Sequence, residues 1–186
     1  MRWILAGTLA LLLAACSGGS GTPQPFESPT VEPPTGLLTY DSPDYGIRIK
    51  YPADWTKEEQ VMGAVVAFFA PREGASDVLQ ENVNILVQDL SAQPMTLDEF
   101  TELSVGQTEQ LITDASILDS SAATLGGNPG HKLVFTGKQG EYDLKWLQVW
   151  TIKDDKAYII SYTAEIDTYS AFLKTAEEMI ESFEIT

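Results

Sequence analysis

The chain is poor in the residues that most protein chemistry needs. Its 186 residues include one cysteine, one histidine and 11 lysines and arginines. A single cysteine cannot close an internal disulfide. A single histidine without cysteine partners excludes the usual Cys/His zinc sets. Eleven basic residues against 27 acidic ones leave no basic footprint for nucleic acid. The same balance opposes attraction to anionic lipid. The apolar run from Trp3 to Ala15 falls short of the about 20 residues that a membrane-spanning helix takes. No internal repeat is visible.

With one cysteine, its place is informative. Arg2 precedes the apolar run, and the run closes on Leu13-Ala14-Ala15 before Cys16. This is the layout of a secretory signal peptide. The last four residues resemble the bacterial lipobox, in which the cysteine thiol is lipidated and the signal is cut before it. One acyl chain holds a protein only marginally, at about 0.8 kcal/mol per buried CH₂; lipoprotein processing supplies two or three. The stretch "SGGSGTPQPFESPTVEPPTG" follows. Gly and Ser make it a loose tether, Pro stiffens it, and it has too little apolar surface to fold. Wholly extended, its about 20 residues reach roughly 60 Å. The organisation expected is a lipoprotein signal peptide at 1–15, lipidated Cys16 and flexible linker over 16–38, and one domain over 39–186. Removing residues 1–15 leaves 27 acidic against 10 basic residues, a formal charge of −17.

The domain is large enough to bury roughly 70% of its unfolded surface. "YGIRIKYPADW" alternates, with Ile47, Ile49 and Tyr51 on one face, and Pro52 ends the strand. "AVVAFFAP" reads as a strand covered on both faces. "NVNILVQDL" puts Val83, Ile85 and Val87 in register. A helix is expected over 96–113, opened by a Thr96/Glu99 capping box and a Met95/Phe100 hydrophobic staple. Strands follow at Ile117–Leu125, His131–Thr136, Tyr142–Ile152 and Ala157–Thr163, separated by "GGNPG", "GKQG" and a tight "KDDK". Such short links make antiparallel neighbours. Leu144, Trp146, Trp150 and Ile152 share one strand face and Leu147 and Val149 the other, so the sheet is covered on both sides. Tyr169, Phe172, Leu173, Ala176, Met179, Ile180 and Phe183 recur at helical spacing, with Asp167 as the expected N-cap. The fold class is α+β: a three-layer α-β-α sandwich around an antiparallel sheet of about six strands.

"YGIRIKYPADW", "LGGNPGHKLVFTG", "LQVWTIKDDKAYIISYTAEIDTYSAF" and "MIESFEIT", in that order, resemble the PsbP-like family over Tyr40–Thr186. Its plant members are extrinsic subunits of the oxygen-evolving photosystem II, and its cyanobacterial relatives are lipoproteins. The resemblance implies the same sandwich. It also implies a non-enzymatic protein that docks on a larger assembly, related to photosystem II where the organism is photosynthetic. Plant members dock through basic residues, and this chain departs from them in its acidity and its Ser/Pro/Thr tether.

No catalytic constellation is visible. His131 reads as a strand-edge structural residue, with a weak metal ligand as the alternative. "GGNPG" is followed by a strand, so it offers no helix N-terminus to a phosphate and reads as a turn. The carboxylates at Glu58-Glu59, Asp98-Glu99-Glu102, Asp154-Asp155 and Glu177-Glu178-Glu181 lack EF-hand spacing and read as solvated faces; weak calcium binding at one of them is the alternative. Trp146, Trp150, Tyr158 and Tyr162 read as cross-strand packing rather than a sugar or peptide platform, and Trp55 as a core plug. The expected product is a monomeric, exported lipoprotein held in the cell envelope, or on the thylakoid lumen side in a cyanobacterium. Its expected partner is a membrane protein, with no cofactor and no nucleic acid. An ion- or small-molecule-binding lipoprotein is the competing class.

Overall fold

The computed structural model describes residues 36–61, 63–74 and 79–186. Cys16, the 1–15 segment and most of the 16–38 linker lie outside them. The elements in chain order are β1 (Leu37–Ser42), β2 (Ile47–Pro52), β3 (Thr56–Glu59), β4 (Val66–Phe69), β5 (Asn82–Asp89), α1 (Leu97–Leu111), β6 (Thr113–Leu125), β7 (Asn128–Gln139), β8 (Tyr142–Lys153), β9 (Lys156–Glu165), α2 (Tyr169–Glu181) and β10 (Glu184–Ile185). The main sheet is antiparallel with seven strands in the order β3-β4-β5-β9-β8-β7-β6. A separate three-stranded sheet, β1-β2-β10, takes the Ile47–Tyr51 strand that the pattern alone assigns to the main sheet.

Each face of the main sheet has its own core. On one face, α2 and the small sheet cover Val66, Phe68, Val83, Ile85, Leu147, Val149, Tyr158, Ile160 and Tyr162. The α2 stripe from Tyr169 to Phe183 joins this cluster as expected, and so do Ile47, Ile49 and Tyr51. Trp55 is buried edge-on to Phe172, with ring centroids 5.8 Å apart. On the other face, α1 lies over β6 and β7, and Phe100 joins Leu133, Phe135, Leu144, Trp146 and Trp150. Burying a side chain of this kind is worth about 1.5–3 kcal/mol. The layers are therefore helix, sheet, and helix with small sheet.

The α1 start has the expected cap. The Glu99 backbone N–H donates to the Thr96 hydroxyl at 3.2 Å, and the Thr96 N–H donates to the Glu99 carboxylate at 2.8 Å. The helix stops at Leu111, short of 113, because Ile112 turns extended and β6 begins at Thr113. The expected Asp167 cap is not formed. Thr168 holds the N-cap position without a capping bond, and its hydroxyl donates to the buried Glu81 carboxylate instead.

Two stretches expected as loops are mostly strand. Only Gly126–Gly127 and Gly140–Glu141 turn; Pro129, Gly130 and Gly137 lie inside β7. The strand glycines serve close approach rather than turning. A Cβ on Gly130 would strike the Trp150 carbonyl, and one on Gly137 would strike the Ile112 side chain. The "KDDK" link is the expected tight hairpin, with Asp154 and Asp155 both at positive φ.

Candidate functional site

His131 sits within β7 with its ring stacked on Trp150, centroids 5.2 Å apart. Its Nε2 lies 2.9 Å from the Ser120 hydroxyl. The Trp150 indole N–H donates to the Thr101 hydroxyl of α1 at 3.0 Å. Serine, imidazole, indole and threonine thus form a polar seam that ties β6, β7 and β8 to the helix. Asp119 is next to Ser120 in sequence, but alternation turns it to the opposite face. There its carboxylate pairs with Lys132 at 2.7 Å, and that bond holds it below the usual carboxylate range.

The aromatic residues do not share a surface. Trp146 and Trp150 are buried on the α1 face, and Tyr158 and Tyr162 on the α2 face. Burial raises the Tyr162 phenol, with the Glu81 carboxylate adding to the shift, and raises Tyr169 to about 12. The Tyr162 hydroxyl donates to the Tyr169 carbonyl at 2.8 Å.

A feature that periodicity conceals lies on the α1 face of β5, β9 and β8. The register sets Asn82, Thr163 and Trp146 side by side, and next to them Asn84, Ser161 and Gln148. Gln148 donates to the Ser161 hydroxyl at 3.0 Å, and Asn84 donates to the Asn82 carbonyl oxygen at 3.3 Å. Asn84 Oδ1, Thr163 Oγ1 and Trp146 Nε1 are buried with no hydrogen-bond partner. One acceptor, one hydroxyl and one donor are a hydrogen-bonding set for a small uncharged molecule, water included. Asn82 and Asn84 read in sequence as the wet side of an alternating strand. The signal against that reading is across the sheet: Ser161 and Thr163 interrupt a strand that is otherwise apolar on both faces.

The acidic clusters are spread over the molecule. Glu58 and Glu59 lie on exposed β3, with Glu59 2.5 Å from Lys57. Asp98 and Glu99 occupy the first turn of α1, Asp154 and Asp155 make a hairpin, and Glu177, Glu178 and Glu181 line the exposed side of α2. Among the described residues no group of three carboxylate, histidine or cysteine side chains is placed to hold a metal ion. Gln93, Pro94, Met95, Glu99 and Leu103 line an open groove of about 280 Å³ at the start of α1, at the lower edge of the about 300–1,000 Å³ of small-molecule sites. Ion pairs engage much of the scarce positive charge: Arg48 with Asp41 and Glu184, Lys57 with Glu59, Lys132 with Asp119, Lys138 with Asp143, and Lys174 with Glu178. Lys145 sits over the Tyr169 ring at 4.2 Å.

The architecture defines an α+β sandwich whose antiparallel sheet is covered on both faces. Residues 27–185 match the family of PsbP-like proteins, and the chain belongs to that family. It is similar in fold to cyanobacterial PsbP (CyanoP) from Synechocystis sp. PCC 6803, at 16% identity and TM-score 0.60, over 88% of this chain and 100% of that one. LpqN of Mycobacterium tuberculosis, involved in cell envelope biogenesis, aligns at 16% identity and TM-score 0.60, over 81% of this chain and 91% of LpqN. PA94 of Pseudomonas aeruginosa, a protein of unknown function, aligns at 14% identity and TM-score 0.54, over 76% and 94%. At such identities the likeness is one of fold. No curated protein matches the sequence. No helix among the described residues is long and apolar enough to cross a membrane.

Proposed function

We propose that this protein is a membrane-anchored lipoprotein whose PsbP-like domain is a non-enzymatic docking or accessory subunit of a membrane complex. The observation that carries the docking reading is electrostatic. The chain has 27 acidic residues, and intramolecular ion pairs already engage much of its positive charge. The remaining surface is acidic and suits a basic patch on a partner. The anchor rests on Cys16 and its lipobox-like context. A tether confines the domain near the membrane, so a weak contact there is sustained by effective concentration. The test is cross-linking in native membranes followed by affinity purification. Wild type should recover a defined membrane complex, less of it as salt rises, and Cys16→Ala far less. Recovery of no specific protein, with one-to-one binding of a small ligand by the purified chain, would replace this reading.

The second reading, a small-molecule-binding lipoprotein, is favoured by one observation. The unpartnered Asn84, Thr163 and Trp146 atoms lie on neighbouring strands of one sheet face.

A further inference from the structure

Five large apolar side chains are exposed among the described residues: Leu37 at 61%, Leu38 at 46%, Leu111 at 58%, Leu118 at 54% and Ile166 at 44%. Four of them come from distant parts of the sequence and lie at one end of the sandwich. Leu37 pairs with Pro52 at the end of β2, and Leu38 with Tyr51. Trp55, just beyond Pro52, touches Phe172 in the first turn of α2. Ile166 follows β9 into that helix, and its N–H donates to the Asp143 carbonyl at 3.1 Å. Asp143 is opposite Lys138, and Lys138 is opposite Thr113, two residues after Leu111 ends α1. The end therefore bears Leu37 and Leu38 in one outer layer, Ile166 at the main sheet and Leu111 in the other outer layer. The opposite end, with the Gly126–Gly127 and Asp154–Asp155 turns, has no such residue among those described.

The chain leaves the domain at this same end. The Ala53 N–H donates to the Gly36 carbonyl at 3.0 Å, and residues 1–35 precede it, Cys16 among them.

We infer that the Leu37–Leu38/Leu111/Ile166 end is a contact face for the lipid bilayer itself; this rests on the anchored reading above. The segment that carries Cys16 enters the domain at Gly36, beside Leu37 and Leu38, so the anchor brings this end of the sandwich, with its exposed apolar side chains, to the bilayer first. Exposed Asp114, Glu141 and Asp167 lie at the same end. They keep the contact shallow and select zwitterionic over anionic headgroups.

The test uses the full chain purified from membranes and reconstituted in phosphatidylcholine vesicles, with a nitroxide at Leu111→Cys or Ile166→Cys. Leu118→Cys on the sheet edge and Thr124→Cys at the far end are controls. Access of a water-soluble relaxation agent should fall several-fold at 111 and 166 and stay unchanged at 118 and 124. Replacing half the lipid with phosphatidylglycerol should reduce the protection. Equal access at all four sites on vesicle-bound protein overturns the face while leaving the anchor intact. If the chain purified from membranes carries no acyl group and stays off vesicles, both are overturned. Protection that appears only when other membrane proteins are added gives the face to a protein and overturns the bilayer.

Discussion

Thr163 and Trp146 stand directly opposite each other on β9 and β8, both buried, and neither the hydroxyl nor the indole N–H has a hydrogen-bond partner. A buried polar atom without a partner carries its full desolvation penalty, about 1–3 kcal/mol. Thr163→Val removes the hydroxyl at nearly constant volume. It should raise stability in urea by about 1 kcal/mol. Loss of stability by a similar amount would mean that the hydroxyl holds a bound molecule, and would favour the small-molecule reading.

The reciprocal Thr96–Glu99 cap sets where α1 begins. Thr96→Ala should destabilise by roughly 1 kcal/mol. The Glu99 carboxyl is held low by the Thr96 backbone N–H and then its side chain. The cap's contribution is therefore present above the ordinary carboxyl range and lost as pH falls through the depressed value. A urea midpoint indifferent to Thr96→Ala would move the helix start elsewhere.

Gly130 and Gly137 permit close contact inside the sheet. Gly130→Ala forces β7 away from the Trp150 carbonyl and should cost about 1–3 kcal/mol, as overpacking does. Gly127→Ala meets no neighbouring atom, although its positive φ adds about 1 kcal/mol of strain. Thermal unfolding of the two variants should rank Gly130→Ala as the less stable.

Alkali should unfold the domain through its buried phenols. Tyr169 titrates at about 12 in the folded chain, and Tyr162 is raised further from the ordinary 10.0, both chiefly by burial. Once unfolded, each ionises near pH 10. Above that pH the folded chain binds more protons than the unfolded one, so stability present below pH 10 is lost as pH rises toward the folded values. Absorbance at 295 nm should show a late tyrosinate step that coincides with loss of the folded circular dichroism. Tyr162→Phe should shrink that step. Full titration of every tyrosine in the still-folded chain would contradict the burial argument.

The long elements were legible because one period governs each. The α2 stripe, the two-faced β8 and the Thr96 cap all follow from local spacing. The small sheet was not legible as a separate layer, because β2 alternates like any half-buried strand. Its partner β10 is two residues long, held to β2 across Arg48 and Ile47. β3 is exposed along its length and has no apolar period to read. Gly130 and Pro129 punctuate the sequence like a turn, and only the neighbouring strand explains them. The Asn82–Thr163–Trp146 row was hidden for the same reason: its members are 81 and 17 residues apart in sequence, and only the register unites them.

Membrane anchorage is the premise of the docking account, and the intact mass of the mature protein extracted from its own membrane tests it most directly. The mature chain should begin at Cys16 and carry two or three acyl groups on that residue. A mature chain with an unmodified Cys16, or with its N-terminus elsewhere, would contradict it.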